Sequence, residues 1–176
     1  ENGLTVDEAG WEAARAAHSE VSRSEGSFKQ ILSAEELAGV PGTETVYHEE
    51  DGGRKECEGE VLRYFPAAGA RPARLVLDRA AFYAEAGGQI GDRGRLEARD
   101  GTFSFVVEDT KKIGDVHVHF GLPDGTPDEG KGAVCLVDGE RRDAIRASHT
   151  APHLLHQALR DALGAHVAQA GSYVGP

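Results

Sequence analysis

Arg93-Gly94-Arg95-Leu96-Glu97-Ala98-Arg99-Asp100-Gly101-Thr102-Phe103-Ser104-Phe105-Val106-Val107-Glu108 is the stretch on which the fold turns. Residues 93–98 and 102–108 are short runs suited to strands, the second rich in aromatic and β-branched side chains. Asp100-Gly101 between them is a tight hairpin signal. Working outward, residues 44–47, 57–65, 74–77, 116–120 and 133–137 have the same character, and Asp51-Gly52-Gly53 and Asp124-Gly125 punctuate them. Six or seven short strands over about 95 residues predict a small antiparallel barrel or sandwich.

Helical patterns flank this region. Thr5-Val6-Asp7-Glu8 has the form of a capping box, and the Ala-rich stretch to Val21 reads as a helix with Trp11, Ala14, His18 and Val21 on one stripe. Ser33-Ala34-Glu35-Glu36 is a second capping box, starting a short helix that stops near Gly39 and Pro41. After Asp138, residues 140–147 are charged and helix-compatible, and residues 149–163 form an amphipathic helix ended by Gly164. The expected fold is mainly β with flanking helices. Residues 1–40 are a helical segment, 41–139 an antiparallel β-barrel, and 140–176 the start of a further domain.

The 176 residues carry 19 Lys and Arg against 30 Asp and Glu, a net charge of −11. That excludes a chain that coats nucleic acid by charge alone, since such binding needs many cations on phosphates. The acidity is uneven: residues 1–60 hold 15 acidic and 5 basic side chains, and residues 61–176 hold 15 and 14. The later cluster Arg141, Arg142 and Arg146 is therefore free of a strong acidic field and is able to meet a phosphate. No run of 18 apolar residues occurs and no signal segment opens the sequence, so the expectation is a cytoplasmic protein. Cys57 and Cys135 form no CxxC pair, and Cys135, in an apolar run, is expected to be a buried small residue. The sequence begins without Met and stops soon after a helix, so it reads as an excised piece of something longer.

Two segments carry chemistry. His149-Thr150-Ala151-Pro152-His153 puts imidazoles at i and i+4 on one helical face, about 6 Å apart along the axis. That spacing suits one zinc ion, or simply two polar residues on a half-exposed face. A zinc peptidase has Glu where Thr150 stands, which excludes that reading. His156 lies about 10 Å from His149 along the helix, too far to share a metal comfortably, and fits a packing or hydrogen-bonding role. A structural zinc needs four ligands, so the site is incomplete. The second segment, residues 78–92, contains Gly87-Gly88-Gln89, where paired glycines permit positive φ and a close backbone approach. Gly-Gly-Gln also occurs in peptide-chain release factors. Three residues cannot carry that reading against a simple turn.

In order, residues 82–92, Glu108-Asp109-Thr110-Lys111-Lys112, Val137-Asp138-Gly139-Glu140-Arg141-Arg142, residues 148–156 and Val167-Ala168-Gln169-Ala170-Gly171-Ser172 resemble the editing region of the alanyl-tRNA synthetase family and its free-standing relatives. The likeness covers roughly residues 60–176, and the first helix resembles the end of the synthetase's helical tRNA-recognition region.

The resemblance implies a barrel followed by the first helix of an α+β editing domain that hydrolyses mischarged seryl- or glycyl-tRNA for alanine. It implies zinc held by His149 and His153 with a Cys and a His from further along in the family. Gln169 matches a pocket glutamine, and the family often has Thr where this chain has Pro152. Thr150 and Gln169 are the candidate catalytic residues, and Gly87, Gly88, Gln89, Gln169, Arg141 and Arg142 the candidate substrate-binding ones. ATP and magnesium belong to an aminoacylation domain outside this stretch. The implied partner is the tRNA for alanine, with neither DNA nor membrane. Either a zinc-bound water attacks, or zinc orients the substrate amine for a free one. The competing reading is a non-catalytic module that positions the tRNA acceptor end. The fragment itself is expected to be inactive or nearly so, with Leu154, Leu155, Ala158 and Leu159 either folded back on the barrel or paired with another chain.

Overall fold

The computed structural model describes Asp7, Gly10, Trp11 and residues 35–48, 53–164, 166–168 and 172–176. Thr5, Glu8, the helix through His18 and Val21, Ser33-Ala34, Asp51-Gly52 and Gln169 lie outside the described residues. The chain forms two compact units, residues 1–36 and 37–176. In the first, Asp7 caps a helical turn: Gly10 N–H donates to its Oδ1 at 2.9 Å and Trp11 N–H to its carbonyl at 2.9 Å.

In the second unit, six strands close a barrel. β1 (Glu44–Thr45) and β4 (Arg79–Ala80) form a short parallel pair outside it. The barrel runs β2 (Glu56–Phe65), β3 (Ala73–Leu77), β7 (Val116–Gly125), β6 (Phe103–Ile113), β5 (Gly94–Ala98) and β8 (Gly132–Val137), which pairs back to β2. Every barrel pairing is antiparallel. Alternate residues point inward, as the strand period requires: Leu96 and Ala98 on β5, Phe103, Phe105 and Val107 on β6, Ala133 and Cys135 on β8. Each large side chain buried there is worth about 1.5–3 kcal/mol.

The predicted barrel and the Asp100-Gly101 hairpin are present. Asp100 Oδ1 accepts from Thr102 N–H at 3.1 Å and from its hydroxyl at 2.6 Å, and Gly101 has φ +70°. Three expectations need correction. Residues 35–39 are a turn rather than a helix. Asp124-Gly125 is not a turn but the end of β7, which runs on through Pro123. Beyond Gly121 that strand is bonded to β6 alone, so proline's missing N–H falls on a free edge. Residues 140–147 and 149–163 belong to one helix, α1 (Gly139–Leu163). Pro152 therefore sits in its middle, not in a first turn, and removes the bond its amide would donate to the Ser148 carbonyl.

Asp138 caps α1 by accepting from Arg141 N–H at 3.0 Å, and Gly164 ends it, its N–H donating to the Arg160 carbonyl at 2.9 Å. Only Arg142 and Ile145 of α1 are buried. Leu154, Leu155, Leu159 and Leu163 are exposed, so within this chain the helix does not fold back on the barrel. No described helix is long and apolar enough to cross a membrane.

Candidate functional site

The site is assembled where the loop before β5 meets the first turns of α1. Asp92 closes that loop on itself: its Oδ2 accepts from Tyr83 N–H at 2.7 Å, and its own N–H donates to the Tyr83 carbonyl at 2.9 Å. Within the loop, Gly87 (φ +59°) and Gly88 (φ +83°) are the central residues of a tight turn whose ends, Ala86 and Gln89, exchange backbone bonds at 3.2 and 3.0 Å. Positive φ at both centres is the type I′ pattern, which glycine adopts without a Cβ penalty. The close approach anticipated for the glycines is made by the chain itself. A Cβ on Gly88 would stand 2.2 Å from the Ser172 carbonyl oxygen. Val174 N–H donates to Gly88 O at 2.8 Å, and Ile90 N–H to Val174 O at 3.2 Å.

The same turn aims Gln89 at the helix. Gln89 Oε1 lies 2.9 Å from His149 Nδ1. A carbonyl oxygen only accepts, so Nδ1 carries the proton and the Nε2 lone pair is left available, the arrangement used by metal-ligating histidines. The His149 and His153 rings are 5.7 Å apart between centroids, tilted by 48°. His153 and Thr150 are exposed. Among the described residues no third Cys, His, Asp or Glu gathers with this pair into a metal-binding group. The chain thus offers two nitrogen donors, half of a four-ligand zinc set. A cavity of about 170 Å³ beside them is lined by Tyr47, Gly53, Tyr83, Gln89, Arg142 and Arg146. Burial pushes the Tyr83 phenol up, with Tyr47 and Asp92 adding to it.

The two candidate arginines behave differently. Arg142 is buried: its Nε donates to Asp92 Oδ2 at 3.0 Å, Nη2 to Asp92 and to the Ala81 carbonyl (2.6 Å), and Nη1 to the Arg54 carbonyl (2.5 Å). It fastens α1 to the loop rather than facing a ligand. Arg141 is half-buried, with Nη1 donating to the Gly91 carbonyl at 2.9 Å. Burial, reinforced by nearby Arg93, pulls its pKa down. Burial also pushes the neighbouring Asp109 carboxyl up, against the Thr110 N–H and the charges of Arg93 and Arg141.

The structure therefore brings Gly87, Gly88, Gln89, Arg141, Arg142, His149 and His153 to one end of the barrel, with Thr150 beside them. Gln169 lies outside the described residues, three positions before Ser172, which abuts the turn. Sequence reasoning missed Asp92, Tyr47 and Tyr83. Only the paired glycines, which demand a close neighbour, gave any hint of the Ser172 contact.

A class is defined by the family match: residues 1–141 fit tRNA synthetases class II (A), and the chain belongs to that family. Its relatives are alanine–tRNA ligases. It is 41% identical over 184 residues to that of Dichelobacter nodosus, covering 99% of this chain and 20% of the relative. To those of Methylobacillus flagellatus and Aromatoleum aromaticum it is 40% identical, over 100% of the chain and 20% of each relative. The chain spans about one fifth of the length of these relatives, and corresponds to a fragment of an alanyl-tRNA synthetase.

Proposed function

We propose that this chain is the barrel and the opening helix of the proofreading region of an alanine–tRNA ligase, acting on seryl- or glycyl-tRNA for alanine. The observation that carries the reading is the His149–His153 pair on one face of α1, with His149 Nδ1 held by Gln89 and Nε2 left open. A zinc ion on this pair, completed by two ligands from elsewhere in the synthetase, would supply a Lewis acid next to the ester at the tRNA 3′ end. The chain's own part is positional. Gln89 fixes the tautomer of His149, the Gly87-Gly88 turn sets Gln89, and the Asp92–Arg142 clasp sets the turn against the helix. Arg141 and Arg146, at the same end, offer positive charge to a tRNA phosphate. The exposed helix face of Leu154, Leu155, Leu159 and Leu163 fits a continuation of the editing domain packed over it.

The test is deacylation of seryl-tRNA by the full-length synthetase containing this sequence, with and without His153→Ala. Loss of deacylation with alanylation retained supports the reading. Undiminished deacylation would leave the stretch as a module that positions the acceptor end.

A further inference from the structure

The chain's two cysteines lie opposite each other in the barrel wall. Cys57 on β2 and Cys135 on β8 are register partners in an antiparallel ladder. Val137 N–H donates to Lys55 O two residues earlier in that ladder, and Val61 N–H to Lys131 O four residues later. Residues 57 and 135 therefore fall at a hydrogen-bonded pair, where the Cα atoms stand about 5.5 Å apart. That lies within the range of about 4.4–6.8 Å that a disulfide spans. The Cβ atoms of such a pair, at the wide end of about 4.5–5.5 Å, must close to about 3.5–4.5 Å, so the bond draws β2 and β8 together at this pair. Both side chains are buried and both thiols are free.

The two sulfurs are not equivalent. Cys135 is fully enclosed, and its neighbour Cys57 together with burial pushes the Cys135 thiol well above the ordinary thiol range. Cys57 is 7% exposed and helps line a groove of about 440 Å³ with Arg54, Lys55, Glu56, Glu58 and Arg79. The Cys135 S–H, the charges of Arg79 and Arg54 and the Ala81 backbone draw the Cys57 thiol down against its burial. One thiol is thus placed to become a thiolate with a way out to solvent, and the other to sit directly behind it.

We propose that Cys57 and Cys135 form a peroxide-oxidisable dithiol, with Cys57 as the attacking sulfur and Cys135 as the resolving one, closing a cross-strand disulfide between β2 and β8. The Cys57 thiolate attacks one oxygen of hydrogen peroxide, the O–O bond breaks, and the departing hydroxide takes a proton to leave as water. Cys57 is then a sulfenic acid. The Cys135 sulfur attacks that sulfur, the S–O bond breaks, and the hydroxide released takes the Cys135 proton as a second water. Two thiols have lost two electrons to one peroxide. The bond fastens the end of β8 that leads, through Asp138, into α1.

The probe is hydrogen peroxide on the 176-residue chain, with glutathione as the oxidised control. The expected product is a monomer on a non-reducing gel with no thiol titratable in denaturant and an intact mass lower by two hydrogens, all reversed by dithiothreitol. Dimedone present during oxidation should label Cys57 and not Cys135, and Cys135→Ala should accumulate the label. The proposal is overturned if both thiols still titrate when glutathione is fully oxidised. Addition of oxygen without a cross-link, a disulfide between two chains, or dimedone on Cys135 also overturns it. The mass and thiol readouts need no variant, so they stand even if Cys135→Ala fails to fold.

Discussion

Arg142 Nε reaches Asp92 Oδ2 at 3.0 Å across 50 residues of chain, and both side chains are closed off from solvent. This ion pair joins the loop that carries the Gly-Gly turn to the helix that carries the two histidines. Breaking a buried pair by removing one partner costs about 3–5 kcal/mol, because the other charge is left uncompensated. Arg142→Leu should therefore lower the urea unfolding free energy by about that much. Adding Asp92→Asn to that variant should restore part of the loss. A double variant no more stable than the single one would show that Asp92 is satisfied without Arg142, through Tyr83 N–H alone.

The two turn glycines should respond unequally. Both need positive φ, but a Cβ on Gly87 meets nothing within 4 Å, whereas one on Gly88 collides with the Ser172 backbone. Gly87→Ala is expected to cost about 1–2 kcal/mol from the left-handed conformation alone. Gly88→Ala should cost more and also detach residues 172–174, visible as faster amide exchange at Val174. Equal costs for the two would contradict the assigned contact.

Acid should weaken the fold through His119. Its ring is fully buried on β7, edge-on to Phe82 with centroids 5.1 Å apart, and Nδ1 lies 3.1 Å from the Leu75 carbonyl. Burial pulls its pKa from 6.5 to about 4, with His117 adding to it and the Leu75 carbonyl opposing. Between those two values the unfolded chain binds the proton and the native chain does not, so stability rises with pH there. The contribution is complete above about pH 6.5 and is lost as pH falls toward 4; its size is of order 3 kcal/mol. Urea midpoints at pH 7.5 and 4.5 should differ less in His119→Leu than in the unaltered chain. Identical differences would mean other groups carry the acid sensitivity.

The Gln89–His149 bond has a direct spectroscopic readout. In the unaltered chain, long-range proton–nitrogen spectra should show His149 protonated at Nδ1, and Gln89→Leu should abolish that preference. Retention of the Nδ1–H tautomer without Gln89 would remove this residue from the site. With two imidazoles only, zinc added to the 176-residue chain should be lost on dialysis. Stoichiometric zinc retained by a monomer would show that further ligands exist.

Much of the barrel can be read from short-range signals. Asp100-Gly101 marks a hairpin, and Gly164 marks the end of α1. The strand ends are harder. β6 continues through Asp109-Thr110-Lys111-Lys112, a polar run that looks like a loop, because Thr110 turns inward and Lys111 pairs with Glu85 and Asp109. Pro123 likewise looks like a stop and is tolerated only because of which neighbour β7 has there. The pair His149 and His153 is visible from spacing because helical neighbours are local. Gln89 and Asp92 are not, since each meets its partner 60 or 50 residues away through a closure that no local pattern encodes.

The uneven anchoring of α1 makes it a lever. Ile145, the last buried residue, acts as the fulcrum. Leu163 lies about 27 Å beyond it and His149 only about 6 Å, at 1.5 Å per residue. A tilt of about 5° at the fulcrum sweeps the far end by roughly 2.4 Å while moving His149 by about 0.5 Å. The leucine-bearing arm can travel to meet whatever it packs against while the histidine nearest the barrel keeps its place.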